Sequence, residues 1–86
     1  MDVPILKLVG YISIREGLVN EQIEDGVYML YFDKKGLERD YIGINDNGYI
    51  GSITVVNQKV VSVSAKNYNK KALHRVFAVK IADTPD

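Results

Sequence analysis

Short runs of apolar residues that alternate with polar ones recur along most of this chain. From Gly26 onward the runs are rich in β-branched and aromatic residues, and turn residues separate them every eight to twelve positions, a spacing typical of a meander, sandwich or small barrel. An earlier run alternates in the same way. The sequence therefore predicts a mainly β protein, an antiparallel meander of about six strands closing as a small barrel or sandwich. The predicted strands are Ile5–Arg15, Val27–Asp33, Leu37–Ile44, Tyr49–Val56, Val60–Ala65 and Leu73–Ile81.

The turn residues predict how neighbouring strands pair. Asn47-Gly48 favours a two-residue type I′ hairpin, since both residues accept a positive φ. Three-residue loops at 34–36, with Gly36 in the left-handed position, and at 57–59 bring the apolar side chains of adjacent strands to the same side. The three hairpins together predict one core face. Its residues are Tyr28, Leu30, Phe32, Ile42, Ile44, Ile53, Val55, Val61 and Val63.

Helical signals are confined to two segments. Apolar residues at near-helical spacing between Gly17 and Gly26 predict at most one short helix, near residues 18–24. Residues 69–76 are ambiguous, because Asn69 could cap a helix, whereas the alternation that continues beyond them is that of a strand. The β-branched and aromatic side chains in that continuation favour the strand.

The length of the chain leaves room for one domain. A chain of 86 residues buries only roughly 60–65% of its unfolded surface, so we expect a single domain over residues 1–86, with residues 82–86 as a flexible tail. Cysteine is absent, which excludes disulfides and thiolate metal sites and leaves packing or self-association to supply stability. No segment approaches the ~20 apolar residues of a membrane span. We therefore expect a cytoplasmic protein without a membrane partner.

Charge is distributed unevenly along the chain. The formal net charge is zero, which argues against the broad attraction to phosphate of a typical DNA-binding domain. Residues 1–48 contain nine acidic and five basic residues, whereas residues 49–80 contain six basic residues and no acidic one. The second half is therefore locally basic, and the two halves are complementary in charge.

The basic segment 66–75 combines residue types that bind anionic ligands. Cationic side chains bind phosphate, amides hydrogen-bond to base edges, and an aromatic ring stacks on a base. The alternative interpretation is a solvated loop, whose lysines and asparagines only face water. If the segment binds a ligand, we expect a nucleotide or a single-stranded nucleic acid. The candidate ligand-binding residues are Lys66, Asn67, Tyr68, Asn69, Lys70, Lys71, His74 and Arg75.

Two tripeptides, Gly26-Val27-Tyr28 and Tyr41-Ile42-Gly43, are similar to the paired strand signature of the GIY-YIG nucleases. The resemblance covers about 18 residues and implies that the tripeptides lie on adjacent antiparallel strands. In that family a helix with an essential arginine follows the second tripeptide, and a later glutamate binds a metal. Here a predicted turn and strand follow instead, and no acidic residue occurs between Asp46 and Asp83. Nuclease activity is therefore not expected.

The chain offers few side chains for an enzyme active site. His74 is the only histidine and cysteine is absent, so catalytic triads and histidine or cysteine metal sites lack their central members. Asn45-Asp46-Asn47-Gly48 resembles part of a calcium loop, but the two obligatory carboxylates would have to come from Gly43 and Thr54. We therefore expect no catalytic residue, no metal and no cofactor.

Tyrosine supplies six of the eight aromatic residues, and outward-facing tyrosines are enriched in protein interfaces. Our interface candidates are Tyr31, Tyr41 and Tyr68. Together with a small core, complementary charges and uncharged strand edges such as Val60–Ala65, they favour a non-catalytic binding or interaction protein. We expect it to form a homo-oligomer and to act as an adaptor or inhibitor of a protein partner. The alternative function is binding of an anionic ligand through residues 66–75.

Overall fold

The computed structural model describes residues 7–65 and 72–83, which form a closed barrel of antiparallel strands with a short helix packed against it. Around the barrel the strand order is β1-β2-β5-β4-β3-β6. The predicted mainly β fold of about six antiparallel strands is confirmed, and of the two predicted architectures the chain adopts the barrel. The elements are β1 (Lys7–Arg15), β2 (Leu18–Val19), β3 (Gly26–Tyr31), α1 (Lys34–Tyr41), β4 (Tyr49–Val56), β5 (Lys59–Ala65) and β6 (Ala72–Ala82).

Alternate side chains of the strands fill the interior of the barrel, because successive residues of a strand face opposite sides. Tyr28 of β3 pairs with Ile53 of β4, and Leu30 and Val55 are equally buried. These four residues confirm part of the predicted core face. The buried interior cluster consists of Ile12, Ile14, Val19, Tyr28, Leu30, Ile50, Ile53, Val55, Val76 and Ala78.

The helix α1 replaces a predicted strand. The prediction of a strand over Leu37–Ile44 is wrong, since this segment forms most of α1 and the turn after it. Asp33 caps the helix, and its Oδ1 accepts a hydrogen bond of 2.7 Å from the N–H of Gly36. Gly36 lies inside the helix and not at a left-handed loop position, and a Cβ there would collide with the carbonyl oxygen of Asn47. The close approach of helix and loop therefore requires a glycine.

A left-handed glycine ends α1. Gly43, with φ of +80°, follows the helix, and its N–H donates to the carbonyl of Asp40 at 3.0 Å. The N–H of Ile44 donates to the carbonyl of Arg39 at 2.9 Å. These two bonds form a Schellman motif, the usual way in which a glycine terminates a helix.

Several members of the predicted core face lie outside the core because of α1. The predicted hairpin at Asn47-Gly48 is wrong, since the chain enters this turn from a helix and not from a strand. Phe32, Ile42 and Ile44 are consequently exposed. The strand that pairs with β4 on this side is β3.

The loop between β4 and β5 is one residue shorter than predicted. Residues 57 and 58 form it, with left-handed φ angles of +52° and +67°, in place of the three-residue loop 57–59. The pairing of the two strands then shifts by one residue, as it does at a β-bulge. Beyond the shift Ile53 pairs with Val63, which is the predicted register. Val61 and Val63 are nevertheless exposed, so neither belongs to the buried core.

The two segments with helical signals contain strands where they are described. The prediction of a helix near 18–24 is wrong, because these residues contain the short strand β2 and an irregular segment. Of residues 69–76, those from Ala72 onward belong to β6, which confirms the strand for this part. Residues 69–71 lie outside the described residues.

Candidate functional site

A second apolar cluster lies between the barrel and α1. Tyr31 of β3 and Phe77 of β6 pair with each other and are buried, and Leu37 of α1 packs against their cluster. The Tyr31 hydroxyl donates a hydrogen bond to the carboxylate of Asp40 on the helix. Burial, reinforced by this carboxylate, raises the pKa of Tyr31. The helix therefore covers one side of the barrel and is bonded to it.

Of the three predicted interface tyrosines, the structure describes two. Tyr31 is buried beneath α1 and contributes nothing to an exposed surface. Tyr41 is 82% exposed at the end of α1. Tyr68 lies outside the described residues. An interface through these tyrosines therefore depends on Tyr41, and the interface itself stays a prediction.

Five exposed apolar side chains belong to the segment from Phe32 to Tyr49, which contains α1 and the loop after it. The N–H of Phe32 donates to the carbonyl of Gly48 at 3.0 Å, which places the end of β3 beside the start of β4. Exposed apolar residues that form a patch are typical of an interaction site. The exposed residues, named here the α1-end surface, are Phe32, Tyr41, Ile42, Ile44 and Tyr49.

Among the described residues, β5 has one edge that is largely unpaired. On one side it pairs with β4 from end to end. On the other side Lys59 pairs with Leu18 of β2, and the N–H of Val60 donates to the carbonyl of Gly17 at 2.8 Å. Within the ranges 7–65 and 72–83, no strand pairs with the outer side of residues 61–65, named here the β5 edge. Such an edge offers backbone donors and acceptors to another strand.

The side chains of the β5 edge do not oppose pairing. Residues 61–65 carry no charge, and the side chains of residues 61–64 are exposed. Natural strand edges are usually protected by charges, prolines or a covering segment. Residues 20 and 21 protect β1, since Asn20 donates to the Ser13 carbonyl at 2.9 Å and the Glu21 carboxylate accepts from the Ser13 N–H at 2.7 Å. The β5 edge has no equivalent protection among the residues that the structure describes.

Lys80 is a buried cation near one end of the barrel. Its side chain is 6% exposed, and its Nζ lies 3.0 Å from Oε2 of Glu24 and 2.9 Å from Oδ1 of Asp83. Lys7 pairs with the other oxygen of Glu24. Hydrogen bonds from Lys7 and Lys80 lower the pKa of Glu24 to about 2, and those to the two carboxylates raise the pKa of Lys80. These four residues are named here the Lys80 cluster. Two residues of the predicted tail 82–86 belong to the described structure, since Ala82 ends β6 and Asp83 is part of this cluster. Residues 84–86 lie outside the described residues.

Gly26 makes room for Lys80. A Cβ at Gly26 would lie 2.5 Å from Cε of Lys80 and 2.8 Å from the carbonyl oxygen of Ala82, so no larger residue fits without a shift. Lys80 follows Val76 and Ala78 at intervals of two, and both are buried in the barrel interior. The aliphatic part of the lysine therefore extends the interior face. The sequence alone does not decide the direction of Lys80, because Phe77, Val79 and Ile81 alternate equally well on the other side of the strand.

A pocket of about 200 Å³ lies between the start of β1 and residues 22–24. Val9 and Ile23 supply apolar walls and also pack against the interior cluster. Tyr28 lines the pocket, and its hydroxyl donates to the backbone carbonyl of Glu24 at 2.5 Å. The polar side of the pocket belongs to the Lys80 cluster. A small ligand with one charged end would match this combination of walls.

The predicted anion-binding segment lies mostly outside the described residues. Residues 66–71 are not described, and His74 is described only as part of the backbone of β6. Arg75 is exposed, and its guanidinium lies 4.7 Å from the centre of the Tyr11 ring, a cation–π contact. The binding of an anionic ligand through residues 66–75 stays a prediction.

The two tripeptides that resemble the nuclease signature do not lie on adjacent strands. Gly26-Val27-Tyr28 opens β3, but Tyr41 ends α1 and Gly43 terminates the helix. β3 pairs with β4 and β6 instead. The arrangement that the resemblance implied is therefore wrong.

Over residues 7–65 and 72–83, fold and surfaces together define a small antiparallel β-barrel in which one side of β5 is largely unpaired. Comparison with protein-family models, with curated proteins and with solved structures found nothing that matches this chain. In the described part of the chain, no three histidine, aspartate or glutamate side chains are placed to hold a metal ion. No helix of that part has the length and apolarity to cross a membrane. The cytoplasmic location and the absence of a cofactor stay predictions.

Acid is expected to weaken the Lys80 cluster. Because the pKa of Glu24 is lowered from 4.5 to about 2, its ion pairs stabilise the folded state above pH 4.5, and this contribution is lost as the pH falls toward 2. The melting temperature, measured by circular dichroism across this range, should therefore fall less in Glu24→Gln than in the wild type. The control Glu38→Gln, which removes an exposed carboxylate from α1, should follow the wild-type curve. Parallel curves for wild type and Glu24→Gln would contradict the prediction.

Proposed function

We propose that this protein is a non-catalytic interaction protein that forms a homodimer by pairing its β5 edges, and that the dimer acts as an adaptor or inhibitor of a protein partner. The observation that carries the proposal is the uncharged strand edge of residues 61–65, which no described strand covers. Strand addition to such an edge is a common mode of protein recognition. A dimer would present two copies of the α1-end surface, which is our candidate binding surface for the protein partner.

A second copy of the chain suits this edge because β5 is complementary to itself. In an antiparallel pair centred on Val63, Ser62 of each copy lies opposite Ser64 of the other, and the two Val63 residues face each other. A two-fold axis generates this pairing, and no like charges oppose one another across it. Five residues per strand form an interface smaller than the ~1,600 Å² of a standard complex. We therefore expect moderate affinity, with a dissociation constant in the micromolar range.

Light scattering coupled to size-exclusion chromatography tests the dimer. At about 100 μM protein, a dissociation constant of ~10 μM leaves most chains paired, so the measured mass should be close to twice 9.7 kDa. The variant Ser62→Lys/Ser64→Lys should have the mass of one chain, because lysines would oppose lysines across the axis. Ser62→Glu/Ser64→Glu should behave likewise.

An equimolar mixture of the two double variants should recover the dimer mass, since opposite charges then face each other. The matched control Asn20→Lys/Asn45→Lys adds the same charge at exposed positions outside β5 and should stay dimeric. A single-chain mass for the wild type at this concentration would refute the homodimer. Double variants that retain the dimer mass would refute β5 as its interface.

A further inference from the structure

The pocket beside residues 22–24 combines apolar walls with a buried cation. Val9 and Ile23 supply apolar walls, and Lys80, whose side chain is almost entirely buried, also lines the pocket. None of these residues belongs to the β5 edge. A ligand site here is therefore independent of the proposed dimer.

The charged groups of the Lys80 cluster differ in their access to water. The side chain of Lys80 is 6% exposed, whereas those of Glu24 and Asp83 are 60% and 73% exposed. A carboxylate released from Lys80 would return to water at little cost. A buried ammonium, in contrast, must keep an anionic partner. Another carboxylate can therefore replace Glu24 without leaving the buried cation unpaired.

Glu24 occupies the position that the carboxylate of a ligand would take. Its two oxygens accept from Lys7 and Lys80, both of which line the pocket. We propose that the pocket binds a small organic carboxylate, whose charged group replaces that of Glu24 and whose short aliphatic tail lies against Val9 and Ile23. The volume of about 200 Å³ selects a small ligand, since sites for drug-sized molecules measure about 300–1,000 Å³.

The test compares 3-methylbutanoate with its neutral amide, each titrated into the full chain and followed by the NMR signals of the Val9 and Ile23 backbone amides. The carboxylate should shift these signals, and the amide should leave them unchanged over the same concentrations. In Glu24→Gln the carboxylate that bridges Lys7 and Lys80 is absent and only Asp83 still pairs with Lys80, so the affinity for 3-methylbutanoate should rise about tenfold. This gain distinguishes exchange at Glu24 from binding to any exposed lysine.

Two lysine variants complete the test. Lys7→Met removes an exposed cation and should weaken binding about tenfold. Lys80→Met keeps the aliphatic chain but removes the buried charge, and it should abolish binding. Should Lys80→Met fail to fold, Lys7→Met and Glu24→Gln still decide the outcome. Equal shifts with the acid and the amide, no shift with either, or an affinity in Glu24→Gln no higher than that of the wild type would each overturn the proposal.

Discussion

Replacement of Tyr31 by Ala is expected to lower the free energy of unfolding by about 3–5 kcal/mol, the usual cost of truncating a large buried aromatic residue. Tyr31 is buried between β3 and α1, its ring centre lies 5.4 Å from that of Tyr49, and its hydroxyl bonds to Asp40. A chain of this length has a total stability of about 4–13 kcal/mol. The loss is therefore a large part of the total stability, and it would unfold a chain at the lower end of that range. Urea denaturation followed by circular dichroism measures the change.

Tyr31→Phe separates the ring from the hydroxyl. Phenylalanine keeps the apolar contacts and loses only the hydrogen bond to Asp40, whose other oxygen still accepts from Asn47 at 2.8 Å. We expect a loss of about 1–2 kcal/mol, since a hydrogen bond to a charged group contributes little more than this in net terms. Equal losses in Tyr31→Phe and Tyr31→Ala would mean that the ring does not hold α1 to the barrel.

The strands were predictable where one side of the strand is apolar and the other polar. Tyr49–Val56 is predicted and observed with the same bounds, because its alternation follows its burial closely. β2 was not predictable, since a strand of two residues is too short to carry a pattern. The barrel closes through this strand, so the choice between barrel and sandwich could not be made from the sequence.

The helix α1 was missed although the sequence contains its signals. Asp33 and Gly43 are good capping residues, and the three consecutive charges of Glu38-Arg39-Asp40 do not alternate as a half-buried strand would. The apolar residues Tyr41 and Ile42 suggested a strand, but both are exposed in the structure. Tertiary contacts make this segment a helix, because Leu37 of α1 packs against the second apolar cluster, which contains Tyr31 and Phe77.

The candidate sites were predictable in part. The absence of charge in Val60–Ala65 is visible in the sequence. The lack of a described partner on its outer side is not, because it depends on the position of β2. The Lys80 cluster depends on a contact between residues 56 positions apart, Glu24 and Lys80. Alternation does not decide which way Lys80 faces, because β6 carries apolar residues on both sides. It does not predict which carboxylates meet it, because residues 20–25 have no regular pattern.

Replacement of Gln58 by Ala is the second change with a large expected effect, a loss of about 2–4 kcal/mol. The Gln58 side chain accepts from the N–H of Ile23 at 2.9 Å and donates to the carbonyls of Val19 at 3.3 Å and of Glu21. These three bonds hold the chain between β2 and β3 onto the β4–β5 loop. With alanine at position 58, the N–H of Ile23 and the carbonyls of Val19 and Glu21 would lose these hydrogen bonds. Each unsatisfied backbone group costs about 1–3 kcal/mol unless water replaces the bond.

Gln58→Gly separates the side chain from the backbone conformation. Gln58 has a left-handed φ of +67°, which costs about 1–2 kcal/mol for a residue with a Cβ. Glycine loses the same hydrogen bonds but avoids this cost, so Gln58→Gly should be more stable than Gln58→Ala by about 1 kcal/mol.

In both variants the amide of Ile23 should exchange with solvent faster, whereas the amides of Tyr28 and Ile53 should exchange only in proportion to the loss of global stability. Unchanged protection at Ile23 would show that other contacts hold this segment. Faster exchange at Ile23 would mean that Ile23, which lines the pocket beside the Lys80 cluster, is held in place by the Gln58 side chain of the β4–β5 loop.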